Sequence, residues 1–133
     1  MKSLLPLAIQ FAGALHLLVA GANFFLPGIL HYRENLARVS PIIRHIFLVH
    51  AFYIVLVLVG FAAACLLFPH ELCGASALGK FLAGFLAVFW SLRVVIQIVF
   101  YDRATKRQHP IANLFFTGVF LYFAATFTLA LAS

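Results

Sequence analysis

The chain has 133 residues, of which 65% are apolar and only 9% charged, and its mean hydropathy is +1.12. Soluble domains carry about 25% charged residues, so a chain this poor in charge cannot cover a water-facing globule. Disorder, a disulfide-rich secreted scaffold and an ordinary cytosolic enzyme are excluded, which leaves an integral membrane protein. The net charge of +6 and the six histidines acquire meaning only from where they fall.

A spanning helix needs about 20 predominantly apolar residues. Four such stretches succeed one another, at about 4–26, 42–68, 77–100 and 111–132. They are too long for barrel strands of about 10 residues and lack the period-two alternation. The expected fold is all-α, a polytopic membrane protein forming a four-transmembrane-helix bundle, with residues 1–133 as one transmembrane domain.

The first span carries His16 and Asn23, which are seven residues apart and share a helical face flanked by Ala12 and Ala20. Lys2, the apolar run and the Ala20-Gly21-Ala22 triplet also resemble a cleavable leader; the segment is expected to be retained as a span. Pro27 is expected to end it. Arg33, Arg38 and Arg44 come next, and Ser40-Pro41 stands where the second span opens, with Ser40 as N-cap and Pro at the first helical position. The second span places His50 one turn from Tyr53 and ends before Pro69. Cys65 lies about one turn inside it and Cys73 in the next loop. Two cysteines without CxxC spacing make neither a disulfide framework nor a zinc site; a bridge across the Pro69 turn and a pair of free thiols both remain open.

The third span holds Leu86, Trp90, Arg93, Gln97 and Tyr101, whose spacing of three and four residues makes one continuous stripe. Gly84, Ala87 and Ser91 run beside it, small enough for close helix contact. Arg103, Lys106 and Arg107 occupy the next loop, and His109-Pro110 opens the fourth span. There Asn113 and Thr117 share a face, while Tyr122 points the other way.

Six basic residues thus flank the loops 27–41 and 101–110, against Lys2 and Lys80 on the opposite side. By the positive-inside rule these loops are cytoplasmic and both termini outside, in what is expected to be a bacterial inner membrane. Basicity then reflects topology and attraction to anionic lipid headgroups; with no soluble module, no nucleic-acid partner is expected. A shift of 69 residues superposes Tyr32, Arg38, Pro41 and Tyr53 on Tyr101, Arg107, Pro110 and Tyr122. Two parallel αα-hairpin repeats would produce this spacing.

Lipid offers no hydrogen bonds, so intramembrane polar side chains are expected to face protein. Arg93 is the most informative. A charge at mid-membrane costs about 2.5–3.5 kcal/mol on insertion scales, and no span contains Asp or Glu. Three arrangements satisfy it. Arg93 can snorkel towards the inner surface while bonded to Gln97, helix-end carbonyls or lipid phosphate. It can bind an anionic or carbonyl-bearing ligand together with His50 and Gln97. Or a distant acid, Asp102 or Glu34, can fold back to it. The expected ligand site comprises His50, Arg93 and Gln97, assisted by Trp90, Asn23 and Asn113, in an inner-leaflet polar pocket for a quinone, a lipid headgroup or a similar amphiphile.

Four histidines (His31, His45, His70 and His109) fall near the interfaces. His16 and His50 are expected to be buried in their spans, about 18 and 21 Å from the outer surface by helical rise. Two depth-matched imidazoles can ligate one haem b, with Arg33 or Arg44 near its propionates. A bis-His haem b electron-transfer protein is therefore one alternative, and an anion or small-solute transporter or channel set by Arg93 is another. Carboxylate-bridged di-iron chemistry fails for want of acids in the spans, and HExxH and GxSxG are absent. No catalytic residue is expected. The role that remains is an auxiliary or ligand-binding subunit, self-associated or part of a larger membrane complex.

The stretch Gly13 to Pro27, GALHLLVAGANFFLP, resembles the opening of DoxX-like small membrane proteins, four-helix proteins of similar length. In these a Gly-rich first helix closes near a proline. The resemblance covers about fifteen residues; it implies the four-helix fold and a loose association with membrane redox or quinone chemistry, and it transfers no catalytic residue.

Overall fold

The structure is a computed structural model that describes residues 4–29, 34, 36–100 and 110–132. Its long elements are four helices: α1 (Leu5–Ile29), α2 (Pro41–Leu67), α3 (Ala77–Val95) and α4 (Pro110–Ala132). Each contains a run long and apolar enough to cross a membrane. A 3₁₀ turn at Leu36–Arg38 precedes α2, a single helical turn at Pro69–Leu72 precedes α3, and a π-helical segment, Ile96–Phe100, prolongs α3. No strand occurs among the described residues. The chain is an all-α integral membrane protein with four candidate spans, as its composition required.

Proline marks most of the boundaries. Pro41 and Pro110 each open a span, at the position where the missing N–H costs nothing. Ser40 precedes Pro41, and its carbonyl accepts the Arg44 amide at 3.0 Å. Pro69 opens the short turn after α2. Pro27 differs from expectation: α1 continues through it to Ile29. Pro27 has no N–H to offer the Asn23 carbonyl, so the helix forgoes that one i→i−4 bond as it runs on past it. The third span also departs from a plain α-helix, because its last five residues are π-helical.

Lys2, His31, Tyr32, Arg33, Tyr101, Asp102, Arg103, Lys106, Arg107 and His109 lie outside the described residues. Most of the loop charge that sets the expected orientation is among them, as are both tyrosines that begin the 69-residue correspondence. Of the other matched positions, Tyr53 is exposed, whereas Tyr122 is half-buried and hydrogen-bonded.

The chain forms two compact units, residues 13–67 and residues 1–12 with 68–133. In the first, α1 and α2 run antiparallel. Gly13 faces Cys65 and Leu66, and His16 meets Phe61 edge-on with ring centroids 5.9 Å apart. A Cβ at Gly13 would stand 2.8 Å from Leu66 Cγ, so glycine is what permits the approach. The buried positions of α2, Leu58, Ala62 and Cys65, step by four and three and form one narrow stripe. Most of its remaining surface is exposed Ile, Val, Leu and Phe, as suits a helix in lipid.

In the second unit α3 and α4 are antiparallel. On α3 the buried residues are Gly79, Ala83, Leu86, Ala87 and Trp90; on α4 they are Val119, Phe120, Phe123, Thr126, Phe127 and Ala130. Small residues dominate one side and phenylalanines the other, so large side chains fill the space that small ones leave. The membrane-surface end of the pair is tied by polar groups. Ser76 caps α3 by accepting the Gly79 amide at 3.1 Å and donates to Glu71 at 3.2 Å. Lys80 donates to the Leu131 carbonyl at 3.0 Å, one of the orphan acceptors of the α4 C-terminus, where a cation also suits the helix dipole. The first turns of α1 join this unit through Tyr122, whose hydroxyl donates to the Ala8 carbonyl at 2.8 Å while Phe11 packs edge-on against its ring.

Gly79 sits against the main chain of the Pro69–Leu72 turn, where an added Cβ would collide with the Glu71 carbonyl. Backbone cannot swing aside as a flexible side chain can. Gly79→Ala is expected to destabilise the protein by about 1–3 kcal/mol. Gly118→Ala, with open space around its Cβ, should gain up to about 1 kcal/mol from helix propensity. Thermal unfolding followed by circular dichroism in detergent separates the two.

Candidate functional site

The polar residues of the third span are expected on one face, and the packing of α3 places them there. Leu86 and Trp90 are buried, Arg93 is half-buried, and Gln97 is only 8% exposed. The stripe faces α4, and its polar end meets the polar end of that helix. One guanidinium nitrogen of Arg93 donates to Gln97 Oε1 at 3.1 Å. Gln97 Nε2 donates in turn to Asn113 Oδ1 at 2.8 Å. Thr117 donates to the Asn113 main-chain carbonyl at 2.6 Å. Two helices are thereby linked through side-chain amides.

An aromatic column adjoins these bonds. The Arg93 guanidinium carbon stands 4.6 Å from the centroid of Phe120, within range for a cation–π contact worth about 0.5–2 kcal/mol. Trp90 stacks on the same ring at 5.3 Å and 18°, and meets Phe123 at 4.6 Å. Phe116 stacks on Phe120 at 6.1 Å. The charge thus sits between a carboxamide oxygen and an aromatic face. Gln97 belongs to the π-helical segment, an irregularity that frequently marks functional positions inside helices.

The six residues expected to form one ligand site divide between the two units. Arg93, Gln97, Trp90 and Asn113 belong to the α3–α4 unit, where the guanidinium and the two carboxamides are bonded in series. His50 and Asn23 belong to the α1–α2 unit, and each turns to its own helix. His50 Nδ1 pairs with the Ile46 carbonyl at 2.8 Å, and Asn23 Nδ2 donates to the Val19 carbonyl at 2.9 Å. His16, Ala12 and Ala20 are buried together on the α1 face expected for them. Ser91 is exposed, although Gly84 and Ala87 beside it do face α4: Gly84 lies 3.6 Å from Leu131.

Haem ligation can be tested on geometry. An axial imidazole needs an open face for the iron and its porphyrin. His16 is 0% exposed, with its ring closed against Phe61. His50 is exposed, contrary to the buried position expected for it. As placed, His16 does not fit a haem. Among the described residues no group of three or more His, Cys, Asp or Glu is assembled as a metal site. Neither cysteine is in a disulfide; Cys65 is buried, and Cys73 donates to the Pro69 carbonyl at 3.3 Å. Arg44, one of two arginines considered for propionates, donates through Nε to the Leu36 carbonyl at 3.1 Å.

Two ties have no counterpart among the expected residues, Ser76 capping α3 and Lys80 capping α4. Ser76 precedes the apolar run at an ordinary N-cap position, so a signal was present. Lys80 reaches across to another helix 51 residues away, and no local pattern announces that. Comparison with family models, curated proteins and solved structures finds no match for the chain; the likeness to DoxX-like proteins rests on its fifteen residues alone.

Trp90 is 2% exposed and packs on Phe120 and Phe123, so Trp90→Ala is expected to cost about 3–5 kcal/mol. Gln97→Leu removes the middle of the amide chain and should cost about 1–3 kcal/mol. Denaturation midpoints in one detergent, with the helical signal unchanged at low temperature, check both.

Proposed function

We propose that this protein is a non-catalytic membrane subunit that binds the polar head of an amphiphile, a quinone or a lipid headgroup, at the Arg93–Gln97–Asn113 end of the α3–α4 pair. The observation that supports this is a guanidinium held within a spanning pair of helices by a carboxamide and an aromatic ring. A guanidinium carries five N–H donors in a fixed fork and can serve more than one acceptor at once. An oxygen-bearing head brought to it gains a charge-assisted hydrogen bond in a medium of low dielectric.

In this proposal the site lies in the inner half of the bilayer. The support is charge asymmetry: Arg33, Arg38, Arg44, Arg103, Lys106 and Arg107 flank one set of loops, against Lys2 and Lys80 on the other side. Arg93 then stands close to the basic end of the spans. Amphiphile heads gather there, and anionic lipids are drawn to the same loops.

Arg93→Leu is expected to lose quinone or phospholipid that copurifies with the wild type, read by native mass spectrometry of the detergent-solubilised protein. Retention equal to wild type counts against the site. Impermeant labelling of cysteines appended at either terminus should succeed from the outer side of intact cells; labelling only after permeabilisation reverses the orientation.

A further inference from the structure

Arg93 can only donate hydrogen bonds, because a guanidinium has no acceptor. That single fact fixes the sense of every group after it. Gln97 must turn its carbonyl oxygen towards Arg93, as it does at 3.1 Å. Its amino group must then face Asn113, as it does at 2.8 Å. Asn113 accepts with Oδ1, so its own amino group is the outward end of the series. Neither carboxamide can be flipped without setting donor against donor or acceptor against acceptor. Asn113 is half-buried and stands in the first turn of α4 between the exposed Ile111 and Leu114, so that end is within reach of a molecule in the bilayer. Aligned hydrogen bonds polarise one another, and here a cation begins the series.

We infer that the relay makes Asn113 Nδ2 a directed donor that selects ligands by an acceptor oxygen, the carbonyl of an oxidised quinone or the phosphodiester oxygen of a lipid head, over heads that present a hydroxyl proton. The inference rests on the proposed ligand site and names the ligand chemistry that site takes. An oxidised quinone carries two carbonyls and no O–H, whereas its two-electron-reduced quinol offers only phenolic oxygens, which share a lone pair with the ring and accept more weakly, and carries O–H donors that this end of the series cannot receive. Binding therefore favours the oxidised form. Phosphate shares the acceptor chemistry, so the two sources are distinguished only by experiment.

Two substitutions reverse the outward end without removing it. Asn113→Asp still accepts from Gln97 but offers an oxygen in place of the amino group. Gln97→Glu, ionised beside Arg93, accepts from both neighbours and obliges Asn113 to turn its amino group inward and its oxygen outward. The second variant leaves Asn113 itself untouched. Full-length protein in nanodiscs of neutral phosphatidylcholine is titrated with a short-tail benzoquinone and with its quinol. The readout is quenching of Trp90, the sole tryptophan, which stacks on the ring that Arg93 overlies. Native mass spectrometry of discs doped with phosphatidylglycerol provides the lipid arm.

The wild type is expected to bind quinone, or retain phosphatidylglycerol, on the order of tenfold better than either variant, because each variant both loses the hydrogen bond to the ligand oxygen and sets one acceptor against another. Quinone should also bind more tightly than quinol. Loss in the quenching arm alone identifies a quinone, and loss in the lipid arm alone a phosphate head. Wild-type affinity in both variants overturns the directed relay, even where Arg93→Leu abolishes binding and the site itself stands. A wild type that takes up neither probe overturns the site and the inference together. Unchanged circular dichroism in both variants ensures that a loss is read as recognition and not as unfolding.

Discussion

In hydrocarbon a polar group can be satisfied only by protein, and that constraint organises the structure. It accounts first for the class, since four long helices satisfy their own backbones and no strand occurs among the described residues. It accounts next for where side chains turn. Asn23, His50, Thr117 and Thr128 each bond to the carbonyl four residues earlier on the same helix. This is the cheapest partner available, because it requires no second helix. Gln97, Tyr122 and Lys80 instead reach another helix. These cross-helix bonds fall where α3, α4 and the first turns of α1 pack, so the polar residues tie together what the phenylalanines fill.

Arg93 makes the largest demand on that rule. Pairing charges in a low dielectric carries desolvation costs on both ions. A carboxamide and a ring cost less to bury and add no opposing charge. Among the groups that hold it are Gln97 and Phe120, a carboxamide oxygen and an aromatic face that add no negative charge.

Much of this was legible in the sequence, and the reasons are physical. Apolar runs of spanning length fix helix number because the bilayer fixes length. The Leu86–Trp90–Arg93–Gln97 stripe was readable because one helix carries all four, and helical spacing alone puts them on a face. The partners on other helices were less so. That Gln97 meets Asn113, or Lys80 the end of α4, depends on how far two helices slide past each other, and apolar sequence encodes that register only weakly. His50 and Asn23 show the complementary difficulty. They are polar and in spans, which made them candidates, but a local carbonyl satisfies each, and no spacing rule tells a side chain that turns back from one that reaches out.

The π-helical end of α3 is subject to the same constraint. Gln97 has two tasks, accepting from a residue on its own helix and donating to one on another. In a regular α-helix the direction of a side chain is set by its neighbours' pitch; a π-turn inserts an extra residue and re-aims the side chains after it. Gln97 stands at the second position of that segment, where the wall of the helix is being redirected. Its amide therefore need not be a compromise between two contacts. The backbone irregularity and the polar series occur at one place on α3, where Gln97 both accepts from Arg93 and donates to Asn113.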